Sequence, residues 1–190
     1  MTAYRALFRQ GGIQTTDTIL VTGFGGGVAQ FGVQFALSLG AKVYVSSSSE
    51  EKIQKALALG CSGGFDYREE NWAEKAISET GGFDLILDSA MGDTLNNLIK
   101  ATKPGGRIVF YGATRGNAAG FESRRIFWNQ IKLIGSTMGN DEDFDNMLNF
   151  VNENKIHPII DQVFDLDESV EAFEKMREGK QMGKIVIRIS

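Results

Sequence analysis

From residue 18 to about residue 137 the chain alternates short, unbroken apolar runs with apolar residues at helical spacing, and few folds accommodate that alternation. Residues 18–22 (Thr-Ile-Leu-Val-Thr) read as a buried strand. Residues 28–39 read as a helix with Val28, Phe31, Phe35 and Leu39 on one face. The same reasoning predicts strands at 42–46, 63–65, 84–88, 107–111 and 132–137, and helices at 50–59, 71–80 and 94–101. A loop runs through Arg124 to Gln130, and Pro104-Gly105-Gly106 makes a turn. Strands without polar alternation are buried on both faces, so their sheet is parallel and sandwiched by helices. Short connections and right-handed crossovers make this an α/β fold with a doubly wound parallel sheet.

The two ends fit the rhythm less well. A helix over 2–9 occupies an opening segment, 1–16, with no strand before it, and 17–139 forms the doubly wound unit. Residues 140–190 carry helices at 144–152 and 167–178 and strands at 162–165 and 185–189. The second of these helices is capped by Asp167 and stopped by Gly179.

Composition narrows the partners. At 190 residues, with 42% hydrophobic side chains, the chain can bury a real core. A net charge of −4 gives no reason to expect nucleic acid or an anionic membrane. No apolar run is long enough to span a bilayer. Any bound anion must therefore be held locally. The single cysteine, Cys61, excludes an internal disulfide, and the N-terminus lacks a signal-peptide pattern, so the expected location is the cytoplasm.

The segment Thr22-Gly23-Phe24-Gly25-Gly26-Gly27-Val28-Ala29 joins the first strand to the next helix. Glycines there let the backbone approach a diphosphate, and the helix presents free N–H groups and its positive dipole end to the same anion. The spacing departs from G-x-G-x-x-G: Val28 stands at the last position, and a register ending on Ala29 begins at Phe24. The surrounding βα units favour a dinucleotide over a loop that only lets a helix pack closely. A methyltransferase would share the loop, but its ribose calls for an acid at the end of the second strand, and none stands there.

That absence also bears on which dinucleotide binds. An acid about twenty residues past the loop would take the ribose 2′-hydroxyl of NADH. Here Ser46, Ser47, Ser48 and Ser49 follow one another, and Lys52 lies one turn into the next helix. Hydroxyls and a lysine suit a 2′-phosphate, which favours NADPH over NADH. Ser48 and Glu51 also have the spacing of a capping box, and Glu50 and Glu51 weaken the local positive field.

One ordered set of segments resembles a known family. It comprises Thr2-Ala3-Tyr4-Arg5-Ala6-Leu7, the loop from Gly23 to Ala29, Leu59-Gly60-Cys61, Asp66-Tyr67-Arg68-Glu69 and Lys103-Pro104-Gly105-Gly106-Arg107. The set is similar to the medium-chain dehydrogenase/reductase superfamily, in its quinone oxidoreductase-like and zinc-type alcohol dehydrogenase-like branch. The resemblance implies a Rossmann cofactor domain, with Lys52 and Tyr67 around the 2′-phosphate and Thr2 against the nicotinamide. It places the backbone near Ser89-Ala90 and Tyr111-Gly112-Ala113 along the nicotinamide end. With Gly23, Gly25, Gly26, Gly27, Val28, Ser46 and Ser47, these are the expected cofactor contacts. Members of the family begin with a GroES-like domain onto which their final helix and strand pack. The resemblance therefore implies that this chain is part of a longer NADP-dependent enzyme and is inactive alone. Val170, Phe173, Ile185 and Ile187 would then be exposed or paired with another chain. Substrates would be small quinones, enones, other carbonyls or alcohols, and copies would join as homodimers through their cofactor domains.

Other chemistries lack their residues. Zinc needs three or four ligands, whereas Cys61 reads as buried packing and His157 as a turn residue before Pro158. No G-x-S-x-G elbow accompanies the lone histidine. Asp84 and Asp88 flank a strand and read as structural. No catalytic side chain is assigned, and Tyr111 is at most a pocket wall. Arg124, Arg125, Phe127 and Trp128 suit a subunit contact better than a nucleic-acid surface. Two other functions stay open: a non-catalytic NADPH-binding module, and an interaction protein that kept the fold and lost the cofactor.

Overall fold

Six strands run parallel, as their unbroken apolar character requires. They are β1 (Thr18–Val21), β2 (Lys42–Ser47), β3 (Gly63–Asp66), β4 (Phe83–Asp88), β5 (Thr102–Phe110) and β6 (Lys132–Gly135), in the order β3-β2-β1-β4-β5-β6. The computed structural model describes every residue but Lys180 and Ser190. Successive side chains of a strand serve opposite faces. Thus Ile19, Val21, Val43, Val45, Leu85, Leu87 and Val109 join one buried cluster, and Leu20, Tyr44, Ile86 and Ile108 the other. Ala29, Val33 and Ala36 of α2 (Gly27–Leu39) cover the first face. Trp72 and Ala76 of α4 (Trp72–Thr80), with Leu95 and Leu98 of α5 (Leu95–Ala101), cover the second. The strand order reverses beside β1, which opens a crevice at the carboxyl ends of β1 and β4.

The opening helix is not the regular one expected over 2–9. A single α-turn, α1 (Thr2–Tyr4), widens into a π-helix over Arg5–Gln10, and the Gly11 N–H donates to the Ala6 carbonyl five residues back. The wider turn lines up residues four apart. Tyr4 stacks on Phe8 with ring centroids 4.5 Å apart, and both Arg5 and Arg9 reach Asp143 of α7 (Asp141–Glu153). Phe150 of α7 meets Tyr4, Phe8 and Phe35, so α7 is packed onto α1 and α2.

Three other local expectations are corrected. The loop through Arg124 contains α6 (Ser123–Trp128), a helix too short to show periodicity, in which Ile126 alone packs on the second cluster. β5 begins at Thr102, and the expected turn at Pro104-Gly105-Gly106 survives as a register shift against β4. Asp165, not Asp167, caps the last helical segment. Its capping box with Glu168 closes a 3-10 turn over Leu166–Glu168 that leads into α8 (Ser169–Arg177).

α8 connects β7 (Ile160–Asp165) to β8 (Lys184–Arg188), and the two strands pair in parallel as a separate sheet. Val170 and Phe173 are 71% and 61% exposed, while Ile185 and Ile187 are half-buried. None of the described helices is long and apolar enough to cross a membrane.

Candidate cofactor site

The glycine loop is held from both sides. The Thr22 N–H donates to the Leu87 carbonyl at 3.0 Å, and the Thr22 hydroxyl donates to the Asp88 carboxylate at 2.6 Å, which ties the ends of β1 and β4 together. Asp88 is fully buried and also accepts from the Ala90 and Met91 N–H groups, so its role is structural. Phe24, 1% exposed, anchors the loop; its N–H donates to the Ser46 carbonyl and its carbonyl accepts from the Ser47 hydroxyl. Gly23 and Gly25 have φ of 64° and 135°, values that favour glycine. Gly26 caps α2 without a side-chain acceptor, so the first-turn N–H groups face the loop's open side. The close helix–strand packing of a final motif glycine falls to Ala29 and to Gly32, where a Cβ would lie 2.7 Å from Leu87 Cδ2.

Three cavities are bounded by the loop and the elements that flank it. One of about 340 Å³ is bounded by Ser46, Tyr67, Trp72, Ser89, Asn97 and Arg115, among others. One of about 220 Å³ lies over the loop, between Gly25, Gly26, Ser47, Lys52, Tyr67 and Gln181. The third, of about 390 Å³, is bounded by Thr2, Gly27, Val28, Phe31, Met147 and Lys184. The expected contacts are thus divided among these cavities. Thr2, Gly27 and Val28 border the third, and Gly25, Gly26, Ser47 and Lys52 the second; Ser89, expected with Thr2 at the nicotinamide end, instead borders the first beside Ser46 and Trp72. Gly23 and Tyr67 border two of the cavities. Tyr111, Gly112 and Ala113 line none of the three. Gly112 is pressed against Ser89, where a Cβ would lie 3.1 Å from the carbonyl oxygen. Burial pushes the Tyr111 phenol above its ordinary value despite a hydrogen bond with Ser89.

Two lysines reach across the glycines. A Cβ on Gly25 would lie 2.9 Å from Lys52 Nζ, which donates to the Gly179 carbonyl at 3.1 Å. A Cβ on Gly27 would lie 2.7 Å from Lys184 Nζ. Ser49, not Ser48, caps α3 (Glu50–Ala58), accepting from the Lys52 N–H, and Ser48 lines the middle cavity instead. Glu51 pairs with Lys55 at 2.6 Å and Glu50 accepts from Gln54, so neither acid is hydrogen-bonded to Lys52, although the Lys55 hydrogen bond, helped by the Lys52 charge, holds the Glu51 carboxyl below its ordinary value. Sequence reasoning missed Lys184, Gly179 and Gln181. They reach the loop from the far end of the chain, and the Gly183 N–H donates to the Gly25 carbonyl at 3.2 Å.

Burial pushes the Cys61 thiol up to about 12, and His157 is exposed in the segment after α7. Among the described residues no three His, Cys, Asp or Glu side chains could hold a metal ion.

A family model for zinc-binding dehydrogenases matches residues 27–153. The chain is 36% identical to the zinc-type alcohol dehydrogenase-like protein YogA of Leptosphaeria maculans, over 100% of this chain and 56% of that protein. The crystal structure of an NAD-dependent alcohol dehydrogenase superposes with a TM-score of 0.92 at 31% identity, over 100% of this chain and 56% of that one. The quinone oxidoreductase from Thermus thermophilus, whose complex with NADPH is also solved, superposes with a TM-score of 0.86 at 27% identity, over 99% of this chain and 62% of that one. The chain therefore spans little more than half the length of these proteins. With its sheet order, its glycine loop and its matched length, it belongs to the zinc-binding dehydrogenases, as a cofactor-binding domain of the medium-chain dehydrogenase/reductase superfamily.

Proposed function

We propose that this chain is the NADPH-binding part of an oxidoreductase that reduces a quinone, enone or other carbonyl, or oxidises an alcohol. The observation that carries the choice of NADPH is the pairing of Lys52 and Tyr67 over a loop whose neighbouring strand ends in serines rather than an acid. When bound, the nicotinamide supplies or accepts the hydride. The work of this chain is binding and orientation. The N-terminus of α2 and the Lys184 ammonium hold the diphosphate, Lys52 leaves the Gly179 carbonyl for the 2′-phosphate, and Thr2 and Val28 back the nicotinamide. Substrate contacts come largely from the rest of the enzyme. Copies of the chain join at α6, where Phe127 and Trp128 are 66% and 78% exposed just before the edge strand β6 in sequence.

Titration with NADPH and NADH, read by quenching of Trp72 in the 340 Å³ cavity, tests this reading. NADPH is expected to bind more tightly. Lys52→Ala is expected to cost about tenfold for NADPH, the worth of one charge-assisted contact, and to leave NADH nearly unchanged. Tighter binding of NADH would remove Lys52 and Tyr67 from these roles. Failure of both nucleotides to bind would favour a protein that kept the fold for another purpose.

A further inference from the structure

We propose that Asn97 reads the adenine base of the dinucleotide. Its carbonyl accepts from the 6-amino group, and its amide donates to the ring nitrogen beside it. The assignment rests on the NADPH reading of the site. The cavity of about 340 Å³ has an apolar floor in Trp72 and Leu98, 3% and 1% exposed, which suits the flat face of a purine. A base in such a pocket is told from others by an edge-matched polar group, and the planar amide of Asn carries one donor group and one acceptor side by side.

Several other polar groups that line the cavity are already engaged. The carboxylate of Asp93 holds Arg115 through two hydrogen bonds of 2.6 and 2.8 Å. Arg68 is taken by Asp66, and the Thr94 hydroxyl donates to the Met91 carbonyl. Asn97 is half-buried on α5, next to Leu98, and its side chain makes no hydrogen bond among the described residues. A half-buried amide over an apolar floor, with both its hydrogen-bonding groups free, fits an adenine edge.

The test titrates the 190-residue chain with NADPH and with etheno-NADPH, in which a ring closure removes the hydrogens of the 6-amino group. The wild type is expected to prefer NADPH by about tenfold, within the worth of one bidentate amide–base pair. Asn97→Leu, which keeps the branching and the number of side-chain heavy atoms, is expected to weaken NADPH by about the same factor and to leave etheno-NADPH within about twofold, so that the preference disappears. A wild type without preference, or a leucine variant that keeps it through shape alone, overturns the proposal. Should the leucine variant lose its far-UV circular dichroism, Asn97→Ala serves instead. It removes both hydrogen-bonding groups without adding bulk, so it must narrow the gap, and an unchanged gap overturns the proposal. Lys52→Ala separates the two layers of the argument, because it is expected to weaken both nucleotides equally. NADPH that fails to bind the wild type at all removes the underlying reading and Asn97 with it.

Discussion

A methyl group on Gly25 or Gly27 would fill the space through which a lysine reaches across the loop, so these glycines admit cations as well as phosphate oxygens. At Gly25, with φ of 135°, a side chain would be strained in any case. Cys61 shows the opposite use of a small residue. It follows Gly60, whose φ of 105° ends α3, and it is 7% exposed. Burial pushes its thiol up to about 12, so the reactive thiolate forms only as the pH climbs toward that value. At pH 8 the native chain is expected to react with a disulfide reagent at least roughly a hundredfold more slowly than the urea-unfolded chain. Equal rates would mean that the packing under β3 is open. The loop glycines were legible in the sequence, since they lie from the end of β1 to the start of α2 as the spacing implied, and Lys52 and Tyr67, singled out by the family resemblance, border one cavity over that loop. Lys184 and Gln181 were not, because they lie more than 150 residues beyond the loop they serve. Nor was Asn97, whose relevance appears only once α4 and α5 place it beside Trp72 and Leu98.

Elements were legible to the extent that burial shaped them. β1, β2 and β4 sit within the sheet and read as continuous apolar runs, because water touches neither face. The exceptions are set by contacts that a local window does not contain. The π-helix over Arg5–Gln10 depends on Asp143, far along the chain, and α6 is too brief for any period. Asp143 is fully buried, shares a capping box with Asn140 at the start of α7, and binds Arg5 and Arg9. Asp143→Ala leaves two guanidinium groups without their anion and the helix without part of its cap. It is expected to cost about 3 kcal/mol or more in urea unfolding. Asp143→Asn retains the cap acceptor and is expected to cost less. A loss under about 1 kcal/mol for the alanine variant would show that the aromatic contacts of Phe150 alone hold α7 in place.

For the whole molecule, two exposed apolar surfaces matter in different ways. Phe127 and Trp128 are exposed on α6, just before the edge strand β6 in sequence, whereas Leu166, Val170, Phe173 and Met176 cover α8 and the turn before it. The first surface suits a twofold contact between copies, and the second is an apolar patch on the separate two-stranded unit. If copies join at α6 as proposed, sedimentation velocity is expected to show association that Phe127→Ala combined with Trp128→Ala abolishes. Phe173→Ser should then leave that association in place. Dissociation by the α8 change alone would move the contact to that face. The clasp of residues 179–184 over the glycine loop has a further consequence, in the timing of synthesis. A ribosome adding about 5–20 residues per second takes roughly ten to thirty seconds to travel from the loop to Lys184. Throughout that interval the nascent sheet folds without the last cation of its site. If Lys184 holds the diphosphate as proposed, a nucleotide lends its full stabilisation only to chains read through to β8, and a premature stop in α8 forfeits cofactor affinity along with the tail.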